Sequence, residues 1–183
     1  VADFQESIRY ILKHEGGFAE TAAGEVVNRG VNTDTLKALG YKGTKEELKQ
    51  IVKNLTEDET KDIYYRFYWT LPKPSISDAL NQLTSQSAGN KILDMAVLSG
   101  QGTAIKLVQR TLGLKDDGAF GPNTLKVAQD AGDSLAVRLA ETWTKHLSGI
   151  ADKKISNAKT EELKKYWGQV KVGWLARASW NGI

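Results

Sequence analysis

The chain contains no cysteine. That excludes disulfide scaffolds, thiolate zinc sites and thiol nucleophiles, and it is compatible with an oxidising compartment without requiring one. There are two histidines, with no carboxylates clustered around them, so no catalytic metal and no other cofactor is expected. No apolar run approaches the length of a membrane span, and the first residues, "VADFQESIRYILKHE", lack the apolar centre of a secretory signal. No glycine-rich phosphate loop with its lysine is present. Basic residues are scattered among acids, and the formal net charge is only +3, so nucleic acid is not an expected partner. Such an excess suits a soluble surface, or approach to an anionic envelope. What is present is 183 residues of average apolar and charged content. That fits one medium domain, or a domain with a smaller lobe, large enough to bury a core unaided, and a monomer is the expected state.

The segment from Phe4 to Leu12 carries Phe4, Ile8, Ile11 and Leu12 at helical spacing, with Asp3 as N-cap and Gly16-Gly17 as the stop. Val26-Val27 and Val31 surround Asn28-Arg29-Gly30, which predicts a small hairpin or irregular loop over 17–32. Elsewhere the pattern is helical. Thr44 with Glu47 and Thr56 with Glu59 are two capping boxes. The aromatic helix "IYYRFYW" runs up to "LPKPS", where two of the three prolines sit. Two helices meet at Gly100-Gln101-Gly102, Asp117-Gly118 forms a tight turn, and Pro122 opens another helix. An amphipathic stretch ends near His146, which reads as a helix-end dipole partner. Leu163, Trp167, Val170 and Trp174 give the last helix an apolar stripe. The fold class is therefore mainly α. A boundary near Pro72–Ser75 would divide it into an N-terminal lobe, 1–73, and a C-terminal helical lobe, 74–183, within one compact unit.

One short stretch points to chemistry. "KHEGGFAETAAGEVVNRG" ends a helix on Glu15, breaks it with two glycines, and returns a second carboxylate, Glu25, ten residues on. Glycosidic cleavage needs a proton donor for the leaving oxygen and a second group to steady or attack the cationic centre. A helix C-terminus disfavours a charged carboxylate, the setting a donor needs. Spacing alone leaves open that Glu15 is a structural helix-end acid. Asn28 reads equally as a turn residue or as a group that orients a water or a sugar amide. Gly30 reads as turn geometry, and Tyr68 and Trp69 as core or as saccharide stacking faces. His14, on another helix face than Glu15, reads as packing or surface.

These motifs together resemble the glycoside hydrolase family 108 muramidases, many of them phage endolysins. "HEGGF" followed by "NRGVNTDTL" is similar to the family's N-terminal signature, and "IYYRFYW" to its aromatic helix. "LDMAVLSGQGTAIKLVQRTLGLKDDGAFGPNTLKVA", which covers residues 94–128 and begins one residue earlier at Leu93, resembles its peptidoglycan-binding C-terminal part, through Asp94, Ser99-Gly100, Val108-Gln109, Asp117-Gly118, Gly121-Pro122 and Thr124-Leu125. The resemblance implies a lysozyme-like α+β fold and cleavage of the β-1,4 bond between N-acetylmuramic acid and N-acetylglucosamine. It also implies Glu15 as general acid, bacterial peptidoglycan as partner, and action on the cell wall, in the periplasm. Asn28, Gly30, Tyr68 and Trp69 then become candidate substrate contacts.

The chain departs from the family pattern at one place. The family follows its Glu-Gly-Gly with an Asp and a Thr before the Asn-x-Gly turn; here the segment reads "AETAAGEVV", with no Asp and with Val27 in the place of Thr. Glu25 is the expected second carboxylate and Glu20 the next candidate. Two other readings follow from the departure. One is a lytic transglycosylase that uses a single Glu. The other is a non-catalytic wall-binding or structural module.

Overall fold

The computed structural model describes residues 1–21, 24–70 and 79–183. Helix α1 (Phe4–His14) begins where the Asp3 carboxylate accepts from the Gln5 amide at 2.7 Å. It buries Phe4, Ile8 and Ile11 and ends at Glu15, whose backbone is extended. Strands β1 (Ala19–Glu20), β2 (Val26–Asn28) and β3 (Val31–Asn32) form one antiparallel sheet in sequence order. Val27 faces both Ala19 and Asn32 across it. The predicted hairpin over 17–32 is thus this small sheet.

Three short helices follow: α2 (Thr33–Ala38), α3 (Lys45–Asn54) and α4 (Glu57–Tyr64). Both predicted capping boxes are formed, Thr44 with Glu47 and Thr56 with Glu59, each holding two amides that the helix itself leaves unbonded. Helix α4 runs into a π-helical turn at Tyr65–Trp69. The boundary expected near Pro72–Ser75 lies outside the described residues. A 3₁₀ turn at Ala79–Gln82 then leads to α5 (Gln86–Ser99). Helix α6 (Gln101–Thr111), α7 (Pro122–Ala131), α8 (Ser134–Ser156) and α9 (Glu161–Ser179) complete the chain.

Helix α5 is the centre of the molecule. Its residues from Ala88 to Ala96 are all buried, as befits a helix covered on every side. Gly89 lets it approach the N-terminus closely: a Cβ there would stand 2.7 Å from that of Ala2. Its buried polar residues tie the two ends of the chain together. Asn90 accepts from Ser7 of α1 at 2.5 Å and donates to the Gly182 carbonyl at 2.8 Å. Lys91 donates to the Ala178 carbonyl at 2.8 Å and to that of Trp180 at 2.5 Å, capping the end of α9. These contacts bring the ends of the first and last helices to one place.

Two features differ from expectation. Helix α8 continues ten residues past His146, so that histidine sits inside a helix and not near its end. Burial, with the Arg110 charge adding, lowers the His146 pKa. The stripe on α9 is only half covered: Leu163 is 46% exposed, and Ala178 alone is buried. The reason is that α9 packs mainly on α8, as the second arm of a helical hairpin, and reaches the core only near its end, through Ala178.

Candidate active site

Glu15 is positioned by three neighbours. Its own amide closes α1 by bonding the Ile11 carbonyl at 3.1 Å. Arg177, near the end of α9, donates from Nη1 to its Oε1 at 3.0 Å. On the other side its Oε2 lies where a Cβ on Gly30 would stand, 2.7 Å away. Gly30 therefore needs to be glycine twice over. It has φ +78°, which strains any other residue, and a side chain there would meet both the Glu15 carboxylate and the Tyr64 hydroxyl.

The Arg29-Gly30 turn is itself held in place. Both residues have positive φ, the two-residue geometry that matches the twist of a hairpin. For arginine that conformation costs about 1 kcal/mol. The Tyr64 hydroxyl donates to the Arg29 carbonyl at 3.0 Å, and the guanidinium donates to the Leu55 carbonyl at 3.1 Å. Burial raises the Tyr64 phenol far above its ordinary range, and the Glu15 charge adds to the effect. Tyr68, its ring tilted at 43° to that of Tyr64 with centres 5.2 Å apart, is raised by the same two causes in the same order.

Arg177 is shared. Its Nε bonds Oδ1 of the fully buried Asp94 at 2.7 Å while its Nη1 holds Glu15. Burial works against the guanidinium charge, but Asp94 and then Glu15 outweigh it and its pKa is raised. Asp94 thereby neutralises the cation that steadies Glu15. In the sequence Asp94 stands only as part of a motif, and nothing marks Arg177. A charged residue near the end of a weakly amphipathic helix gives no local signal of its partners.

Each member of this ion pair lines a different opening. One, of about 330 Å³, is lined by Glu15 together with Arg9, Lys13, Arg29, Glu57 and Lys61. The other, of about 510 Å³, is lined by Arg177 with His14, Trp174 and Trp180. Both tryptophans are partly exposed there. In the sequence Trp174 stands only as part of an apolar stripe, and Glu57 carries no signal of a site.

The remaining predicted residues fall elsewhere. Glu25 is exposed at the edge of the sheet, bonded to Lys45 at 2.5 Å. That hydrogen bond and charge lower its pKa. Glu20 pairs with Lys53 at 3.4 Å. Neither lines the opening that Glu15 lines. Asn28 is buried, and its amide donates to the Val52 carbonyl at 3.0 Å and more weakly to those of Lys53 and Leu55 at the end of α3. Trp69 is fully buried against Phe4, with its indole N–H bonded to Asn81, so it has no face open to a sugar. The π-helical turn sends Trp69 inward and leaves Tyr68 partly exposed. In the segment 94–128, the buried Gln109 side chain bonds Asp117 at 2.7 Å, the Ala119 carbonyl at 3.0 Å and the Gly118 amide at 2.9 Å. The Asp117-Gly118 turn is thereby fastened to α6, and Phe120 enters the core.

The family model described as Glycosyl hydrolase 108 matches residues 8–100, the stretch that holds Glu15, the sheet and Asp94. Among solved structures, SagA of Brucella abortus is similar over 96% of this chain and 92% of that one, with 26% identity and a TM-score of 0.66. No curated protein matches the chain.

Proposed function

The chain belongs to the glycosyl hydrolase 108 family, and on that premise we propose that it is a peptidoglycan N-acetylmuramidase whose proton donor is Glu15. The observation that carries this reading is the placement of Glu15: a largely covered carboxyl at a helix end that lines a cavity, inside the stretch the family model matches. Peptidoglycan would lie across the Glu15–Arg177 pair. Tyr68, Trp174 and Trp180 would offer ring faces to the sugars.

Glu15 hands its proton to the bridging oxygen between N-acetylmuramic acid and N-acetylglucosamine. The C1–O bond of the muramic acid breaks, the protonated oxygen leaves as the hydroxyl of the glucosamine, and positive charge develops at C1. Glu15 is left as a carboxylate, and the Arg177 guanidinium 3.0 Å away stabilises that new charge. A water then adds to C1 and loses its proton. In the two-carboxylate form of this mechanism Glu25 receives that proton, which requires it to leave Lys45 and turn towards Glu15.

A specific observation favours a second reading of the last step. Glu25 and Glu20 are engaged by Lys45 and Lys53, away from the Glu15 opening. With one carboxylate at the bond, Glu15 would take back a proton from the C6 hydroxyl of the same muramic acid. That oxygen would then close on C1 as a lytic transglycosylase product. Mass spectrometry of digested sacculi separates the two: a free reducing muramic end marks hydrolysis, and a 1,6-anhydro end marks the transglycosylase. Sacculi left intact by the pure protein would reject both. The site of action would be the cell wall, outside the cytoplasmic membrane. Among the described residues no helix is long and apolar enough to cross a membrane.

A further inference from the structure

The opening beside Glu15 is cationic beyond what catalysis uses. Arg9 and Lys13 of α1, Arg29 of the turn and Lys61 of α4 line it, against Glu15 and Glu57. Both acids are already engaged, Glu15 by Arg177 at 3.0 Å and Glu57 by Lys61 at 2.6 Å. Three cations are left over. Among the described residues Arg9 bonds only the Gln5 carbonyl, through Nε at 3.1 Å, and its two terminal nitrogens can fork onto a carboxylate. The Lys13 ammonium lies 5.5 Å from the centre of the Tyr10 ring. The Arg29 guanidinium donates to the Leu55 carbonyl and the Asn28 side chain. Among the described residues none of the three has a salt-bridge partner within 4.0 Å. Arg9 and Lys13 stand one turn apart on the same helix face, and they also line a second recess of about 280 Å³ with Glu6 and Tyr10. They form a ridge between the two.

Uncompensated cations in a recess raise the local concentration of anions. The sugars of peptidoglycan are neutral apart from the lactyl branch of muramic acid. That branch ends either in its own carboxylate or in a peptide that carries several. We infer that Arg9, Lys13 and Arg29 form a subsite that holds a carboxylate of this lactyl branch, on the peptide where one is attached. The subsite would draw muramic acid, and not glucosamine, to the position where Glu15 meets its C1 side. This inference rests on peptidoglycan being the substrate. It adds that the enzyme reads the acidic branch as well as the glycan.

The test is co-sedimentation of the protein with three insoluble polymers at low and at physiological salt. They are intact sacculi, sacculi stripped of peptide by an amidase so that the lactyl carboxylate is bare, and chitin, which has neither. The R9Q/K13Q double variant should bind sacculi about tenfold more weakly than the wild type, the loss of two exposed charge contacts, with a smaller change on chitin. R9K/K13R should recover most of the loss, and added salt should erase the difference. Weakening confined to intact sacculi identifies a peptide carboxylate. Weakening on both kinds of sacculi identifies the lactyl carboxylate as sufficient. Equal weakening on all three polymers, or none on any, overturns the subsite. If the wild type still cleaves sacculi in that case, the muramidase reading stands without it. A wild type that neither binds nor cleaves any of the three overturns both.

Discussion

Arg177 and Glu15 are separated by 162 positions in the chain and by 3.0 Å in space. The contact joins the end of the last helix to the end of the first, and Asp94 of the central helix completes it at 2.7 Å. A guanidinium between two carboxylates, both sheltered, is a tightly coupled device. Removing its centre should be felt in stability and in the placing of Glu15.

Arg177→Met leaves the fully buried Asp94 charge without its partner. The expected loss is about 3–5 kcal/mol in urea unfolding. The double change Asp94→Leu with Arg177→Met should be markedly milder, because it removes the orphaned charge as well. A loss under about 1 kcal/mol in the single variant would show that the network contributes little to the fold.

Gly30→Ala tests the fit between the turn and the carboxylate. The new methyl meets Glu15 Oε2 at 2.7 Å at a residue with φ +78°. Stability should fall by about 1–3 kcal/mol. The rate of glycan cleavage should fall about tenfold or more under conditions where the variant is still folded, since small misplacements of a reacting group are costly. Unchanged turnover would mean that Glu15 does not need its present position.

Asn28→Ala separates a structural from a substrate-binding role. The amide bonds carbonyls at the end of α3, and losing it leaves buried acceptors unsatisfied. Unfolding free energy should drop by about 1–3 kcal/mol, with KM for soluble muropeptide substrates unchanged. A raised KM at unaltered stability would reverse that assignment.

Lys91 gives a dependence on pH. Burial lowers its pKa to about 8, below the value near 10.4 of an unfolded lysine. Between those values the unfolded chain binds more protons than the folded one, so stability contributed by this residue rises as pH climbs from about 8 to about 10.4. Below about 8 the ammonium is charged in both states and the penalty is constant. The wild-type curve minus that of Lys91→Met should therefore rise through this window, by about 3 kcal/mol. A flat difference would contradict the assignment.

Much of this was legible in the sequence where the signal is local. The capping boxes at Thr44 and Thr56, the glycine stop after Glu15 and the Asn28-Arg29-Gly30 turn depend on neighbours within a few positions, and all are formed. The Arg177–Asp94–Glu15 network was not legible, because its members are 83 and 162 positions apart and Asp94 lies within an apolar run. The sequence left Trp69 and Tyr68 open between core and sugar contact, because a π-helical turn breaks the regular helical period on which an aromatic stripe is read. Glu25 illustrates a further limit. Its chemistry and its distance along the chain suit a second carboxylate, but its pairing with Lys45 depends on how α3 lies against the sheet.

Glu25→Gln follows from that pairing. The Glu25–Lys45 contact is exposed, so thermal stability should hardly change. Retained wall cleavage with 1,6-anhydro products supports a single working carboxylate. Lost cleavage would return Glu25 to the mechanism.

The most direct measurement is the release of muramic ends from purified sacculi by Glu15→Gln, beside wild type of equal thermal stability. Glutamine keeps the shape and an Arg177 contact but has no proton to give to the glycosidic oxygen. The account predicts a rate lower by about 10²-fold or more; a rate within a few-fold of wild type would contradict it.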